Sequence, residues 1–290
     1  MKRIAESELI LNPNGSIYHL RLKPENIADD IIVVGDPGRV PVISAYFDSI
    51  EFKMSNREIV THTGYVGKKR LTVMSTGMGT DNLDIVINEL DAVVNIDLDT
   101  RIPKTEHKSL NIIRLGTSGA MQEDIPVGSY VMSTHGIGLD GLMRFYAAGK
   151  EVEDAELTEA FLQQTAWPAD LPKAYIVSGS NKLFDKMEKG YLKGITATAP
   201  GFFGPQGRVL RLDLAYPDLN DRISNFRYKD YRITNFEMET SALYGLSKAL
   251  GHNAMTVCAI IANRLRKEYA KDYKPSVTAL IEDLLEKLSQ

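Results

Sequence analysis

The feature that most constrains this chain is the alternation of short, almost unbroken β-branched runs with amphipathic helical stripes. The runs are residues 31–34, 71–74, 111–115, 130–132, 175–177 and 256–261. A strand with one wet face alternates polar and apolar side chains. A strand apolar throughout must be covered on both faces. Residues 58–63 mix the two kinds and read as a more exposed strand. Between the runs, residues 81–95 place Leu83, Val86, Ile87, Leu90 and Val94 on one stripe. Residues 237–250 form a second helical stretch, stopped by Gly251. A third helix starts near Pro275, with Val277, Leu280, Ile281, Leu284, Leu285 and Leu288 at helical spacing. This order predicts an α/β fold, one three-layer domain over residues 1–290, with a central mixed β-sheet flanked by helices. The charged, proline-containing stretch 98–110 reads as an insertion between a helix and a strand.

Charge and cysteine usage narrow the function classes. The formal net charge is -4. A weakly acidic chain has no global field with which to gather nucleic acid or an anionic membrane, so a bound anion needs a local basic cluster. The one cysteine, Cys258, sits in an apolar run and reads as a packed core thiol. The charged N-terminus and the lack of a long apolar run predict a cytoplasmic protein without a membrane partner.

Three glycine-containing segments follow strands: Gly35-Asp36-Pro37-Gly38-Arg39, Gly77-Met78-Gly79, and Gly116-Thr117-Ser118-Gly119 after Arg114. They read either as plain tight turns or as places where backbone N–H groups approach an anion. None is a P-loop. Asn82 occupies the third glycine position of a dinucleotide fingerprint, which disfavours that class. Arg39, Arg57 and Arg114 accompany these segments, and guanidinium forks match phosphate oxygens. Arg114 lies within an apolar strand, where it is either an anion ligand or half of a buried ion pair. Glu237 and Glu239, two residues apart, are either acceptors for a sugar diol or acids of a helix first turn.

With these motifs in hand, the sequence resembles the nucleoside phosphorylase family that includes uridine and hexameric purine nucleoside phosphorylases. The resemblance runs from about Tyr18 to Arg264. It rests on the three glycine segments together with Pro126-Val127-Gly128 and Asn235-Phe236-Glu237-Met238-Glu239. It implies that Gly35, Arg39, Arg114 and Thr117 hold phosphate, with Arg57 entering from a neighbouring subunit. It likewise implies that His19, otherwise a surface or capping histidine, reaches a neighbour's ribose 5′-hydroxyl. Glu239, the Met238 backbone and nearby Glu237 are implied for the ribose hydroxyls.

For the base, the loop 201–208 is similar to one in which Phe202, Gln206 and Arg208 line uracil. Gln offers donor and acceptor, and Arg meets charge developing on a uracil oxygen. The purine enzymes carry an acid where this chain has Asn263. The implied reaction is phosphorolysis of uridine to uracil and ribose 1-phosphate, with Arg114, Glu239 and Arg208 as the catalytic residues. A purine nucleoside phosphorylase, a hydrolytic nucleosidase and a non-catalytic nucleoside-binding homologue are the alternatives. No cofactor is implied beyond phosphate as co-substrate. In some members a K+ ion sits near positions matching Glu58, Met78 and Asn82, and Asn82 departs from that pattern. The shared residues imply a homo-oligomer, a dimer or a hexamer.

Overall fold

The computed structural model describes residues 2–289. β1 (Asp30–Val34) is buried at every position and leads into the short helix α1 (Arg39–Ser44). The meander β2 (Ser49–Asn56), β3 (Ile59–Val66) and β4 (Lys69–Ser75) follows. Next comes α2 (Thr80–Asn95). A small ribbon of β5 (Ile96–Asp97) and β6 (Ile102–Pro103) opens the expected insertion, which ends at β7 (Asn111–Ala120). Then come β8 (Tyr130–Gly138), α3 (Gly149–Val152), α4 (Ala155–Gln164), β9 (Tyr175–Ser178), α5 (Asn181–Met187) and β10 (Leu192–Thr198). After α6 (Leu219–Ser224), β11 (Arg227–Tyr228) and β12 (Tyr231–Glu237), the chain enters α7 (Thr240–Ala249). It ends with β13 (Asn253–Asn263), β14 (Glu268–Tyr269) and α8 (Lys274–Ser289).

The main sheet runs β11-β12-β10-β8-β13-β7-β1-β4-β3-β2, and β12 also pairs with β7, so the sheet curls partly closed. It is mixed. β1 is parallel to β4 and β7, and β13 is parallel to β7 but antiparallel to β8. The unbroken apolar runs serve two cores at once. Ile31 and Val33 of β1 pack with α2 and α7, while Ile32 and Val34 pack with α1, α5 and α8. Strand side chains alternate faces, so a strand between two helical layers must be apolar at both parities. A third cluster lies under α4 and α6.

Three expectations change. Residues 58–63 are not an exposed strand: Thr61, His62 and Thr63 of β3 are buried. His62 and Thr63 are partnered there, whereas the buried Thr61 hydroxyl has no hydrogen-bond partner. The Thr63 hydroxyl donates to Asn26 O at 2.7 Å, and Ser44 Oγ lies 2.7 Å from His62 Nδ1. The glycine segment after Arg114 is not a turn, since β7 continues through Gly116 and Gly119 to Ala120. A Cβ on Gly116 would stand 2.1 Å from Arg114 Nη1 and 2.8 Å from Cys258 Sγ. That glycine makes room for a guanidinium rather than a bend. Finally, α7 starts at Thr240, and Glu237 closes β12.

The insertion is fastened to the edge where β13 begins. His107 Nε2 donates to Leu250 O at 2.8 Å, and Ser109 Oγ donates to Gly251 O at 2.9 Å. Gly251 has a φ of 76°, the left-handed C′ conformation that ends α7. Asp91, His107 and His252 bring potential ligand atoms within 4.8 Å of one another. Yet Leu110 N donates to His252 Nδ1, which leaves the neutral ring's proton on Nε2, 3.2 Å from Asp91 Oδ1. A metal requires a lone pair on that nitrogen. The cluster therefore ties α2 to the insertion. Among the described residues no helix is long and apolar enough to cross a membrane.

α7 is keyed into the sheet by one hydroxyl. Tyr244 Oη donates to Ser133 O at 2.6 Å and accepts from Thr256 N at 2.8 Å, all buried. Tyr244→Phe strands both backbone groups without solvent. We expect a loss of about 2 kcal/mol, read from urea unfolding.

Candidate active site

A cavity of about 830 Å³ opens at the carboxyl ends of β1, β4, β7, β12 and β13. This is where an α/β sheet leaves space for a ligand, as β1 and β4 give way there to turns and β12 to the start of α7. Its lining contains Gly35, Arg39, Arg114, Thr117, Phe202, Gln206, Arg208, Glu237, Met238 and Glu239. Ten of the twelve residues read from the sequence thus converge from four separate stretches of chain. His19 and Arg57 are not among them.

The floor is a buried ion network. Arg114 Nη2 pairs closely with Glu239 Oε2, and its Nη1 lies 3.2 Å from Glu237 Oε2 and 3.3 Å from Cys258 Sγ. Burial by itself pulls the guanidinium pKa down. Glu239 and then Glu237 outweigh it and hold the group firmly charged. Glu239 sits above the ordinary carboxylate range because burial raises it. Arg114 opposes that shift and Glu237 adds to it. Burial also pushes the Cys258 thiol up to about 11, so it is a neutral neighbour.

The two carboxylates have different surroundings. Glu237 Oε1 accepts from Thr198 Oγ1 at 2.7 Å and Thr240 N at 3.1 Å. Its Oε2 accepts from Glu239 N at 2.9 Å and Thr240 N at 3.0 Å. Glu237 thus caps the start of α7 and backs Arg114. Glu239 Oε1 accepts Gly79 N at 2.8 Å, at the head of α2. Arg39 enters from α1, with Nη1 3.3 Å from Leu115 O. Burial and then the nearby Arg114 lower its pKa. Two guanidinium groups close enough to repel make an anion welcome between them.

At the other end lies the loop before α6. Arg208 lies over the Phe202 ring at 3.7 Å and donates from Nη1 to Phe202 O and Gln206 Oε1, each at 2.6 Å. Arg264, which the sequence reading passed over except as the end of a motif, holds the loop from beneath. Its Nη1 bonds closely to Gln206 O, and its Nη2 donates to Gly207 O at 2.9 Å. Asn220 Nδ2 reaches the same Gln206 O at 2.8 Å. Ile261, Ala262, Tyr269 and Met78 also line the cavity. Met78 belongs to the Gly77-Met78-Gly79 segment, but no motif marked Ile261, Ala262 or Tyr269 as cavity residues, since their place depends on how β13 and β14 meet the α2 turn.

Asn263 does not face the cavity. Its Nδ2 donates to Gln122 O and Ile125 O, each at 2.8 Å, and its Oδ1 accepts from Arg266 N at 3.1 Å. The amide is spent on the turn before β8.

His19 and Arg57 lie together on the outer side. Asn56 Nδ2 donates to His19 O at 2.8 Å, and the exposed Arg57 occupies the β2–β3 turn with φ 54°. Glu58, the next residue, lines the cavity rim beside Met78, which is 74% exposed. Asn82 Nδ2 donates to Met78 O at 3.1 Å.

A floor of paired arginines, a carboxylate shelf and an aromatic-amide end define a site for a small polar molecule beside an anion. A family model described as the phosphorylase superfamily matches residues 29–288, and the chain belongs to that superfamily. It is 30% identical to a uridine phosphorylase of Thermococcus kodakarensis, over 93% of this chain and 86% of that one. It is 28% identical to a DeoD-type purine nucleoside phosphorylase of Bacillus cereus, over 83% and 85%. A crystal structure of a Trypanosoma brucei nucleoside phosphorylase, described as showing uridine phosphorylase activity, superposes with a TM-score of 0.86. The two chains are 30% identical, over 97% of this chain and 99% of that one.

Asn263→Asp would turn a carboxylate oxygen toward two carbonyl oxygens. We expect it to lower stability by about 2 kcal/mol or more without creating inosine cleavage. Urea unfolding and an inosine assay check both halves.

Proposed function

We propose that this chain catalyses the phosphorolysis of uridine to uracil and ribose 1-phosphate. The observation that carries this reading is one cavity holding Arg39 and Arg114 at one end and the Phe202–Gln206–Arg208 trio at the other. Phosphate lies against Gly35, Arg39, Arg114 and Thr117. The ribose hydroxyls meet Glu239 and the Met238 backbone. Glu237, with its oxygens already used, positions Arg114 and Glu239. Uracil stacks on Phe202 with its carbonyl edge toward Gln206 and Arg208.

A phosphate oxygen forms a bond to C1′ as the C1′–N1 bond breaks, and the bonding pair leaves on uracil. Arg208 stabilises that anion, which then takes a proton from solvent. Alignment supplies much of the acceleration. The open rim at Met78 and the His19–Arg57 face adjoin, so an isologous contact delivers each copy's His19 and Arg57 to the other's cavity. We assign the enzyme to the cytoplasm as a homo-oligomer. Asn82 departs from the pattern of the members that hold a K+ ion there, and its amide donates to the Met78 carbonyl.

The test is uridine absorbance with and without phosphate, with inosine and thymidine in parallel. Phosphate-dependent loss of uridine with inosine inert supports the reading. Cleavage without phosphate makes it a nucleosidase. Arg208→Ala should lower kcat for uridine about a hundredfold and change the KM for phosphate less than about threefold, since Arg208 lies at the far end.

Glu239 supplies a pH prediction. A dianion that draws Arg114 away leaves Glu239 with less positive charge and more negative, so its raised pKa rises further. Binding is then strongest at low pH and weakens as pH rises through Glu239's bound-state range. Sulfate, which does not titrate near neutrality, should bind with proton uptake in calorimetry run in two buffers. Glu239→Gln should abolish the uptake.

A further inference from the structure

α2 carries one carboxylate outside the network described above. Glu89, largely buried, accepts from His19 N at 3.1 and 3.0 Å and from Leu20 N at 2.9 Å. Its Oε1 also lies 2.5 Å from His19 Nδ1. The Tyr18 ring meets the imidazole edge-on at 4.7 Å. Two backbone donors suffice to anchor this segment to α2. The bond to Nδ1 adds something else. A carboxylate has no proton to donate, so the proton of that bond belongs to Nδ1. In the neutral ring Nε2 is then a lone-pair acceptor. The side chain remains 27% exposed, on the outer face shared with Arg57.

We propose that Glu89 is a positioning residue. It fixes the tautomer and aim of His19 so that Nε2 accepts a hydrogen bond from the free 5′-hydroxyl of a nucleoside held in a second copy's cavity. This rests on the reading that His19 is lent between copies. The pair acts as a carboxylate–imidazole unit, the arrangement that elsewhere orients a histidine for its partner. It selects nucleosides with a 5′-hydroxyl donor over 5′-deoxy sugars.

The experiment compares kcat/KM for uridine and 5′-deoxyuridine in the assembled wild-type enzyme, Glu89→Gln and His19→Ala. ¹⁵N spectra of the histidine rings accompany it. In the wild type we expect the His19 ring to carry its proton on Nδ1. His19→Ala should erase the preference for uridine. Glu89→Gln should reduce that preference about tenfold, leave 5′-deoxyuridine within about twofold of wild type, and mix the two tautomers. If Glu89→Gln keeps the wild-type preference while His19→Ala loses it, Glu89 has no positioning role and the His19 reading stands. If His19→Ala keeps the preference, the shared-histidine reading fails and the proposal with it. Equal slowing of both substrates in Glu89→Gln makes Glu89 a mere anchor of the segment and also overturns the proposal.

Discussion

One guanidinium between two carboxylates organises this molecule. Arg114 is buried with Glu237 and Glu239, and each member would cost several kcal/mol if left alone. The requirement spreads outward. Gly116 must lack a side chain so that the guanidinium fits along β7. Glu237 must end β12 where the first N–H groups of α7 are free, and Glu239 must reach Gly79 at the head of α2. Three elements from distant parts of the chain are thereby fixed against one another at the cavity floor. Such a network is weak evidence of stability but strong evidence of a shaped, charged surface.

The far end of the cavity is built differently. It is an irregular loop held by carbonyl contacts to Arg264 and Asn220, with Phe202 half exposed beneath Arg208. Under the proposed function, a rigid arginine floor and a pinned loop suit a reaction in which the nucleophile stays constant while the leaving group sets the selectivity. The third wall, at Met78 and Glu58, is open and adjoins the face that bears His19 and Arg57.

Much of this was legible beforehand. The helices at 81–95 and from Pro275, and the two-faced strands, followed from periodicity, because burial on both sides of a sheet leaves no polar parity. The motif residues Gly35, Arg39, Thr117, Phe202, Gln206 and Arg208 do line one cavity. Reading Gly116 as a turn failed because glycine is used for two purposes, freedom of φ and absence of Cβ, and the sequence does not say which. Reading residues 58–63 as a more exposed strand failed because the Thr63 hydroxyl and the His62 ring found partners within the protein.

The open choices about Arg114 and Glu237 show where sequence stops. Residue type alone determined that this chain is an α/β protein, that any bound anion needs a local basic cluster, and that an arginine in an apolar strand needs compensation. Only the tertiary structure decided what compensates it. Arg114 meets two carboxylates and also lines the cavity, so the ion-pair reading holds without removing it from the cavity. Glu237 turned out to be saturated while Glu239 is not, and the Asn263 amide points away from the cavity. The reason is physical. Composition and spacing set which groups must be satisfied, but hydrogen bonds act over about 3 Å, and only the folded chain brings residues more than a hundred positions apart within that distance.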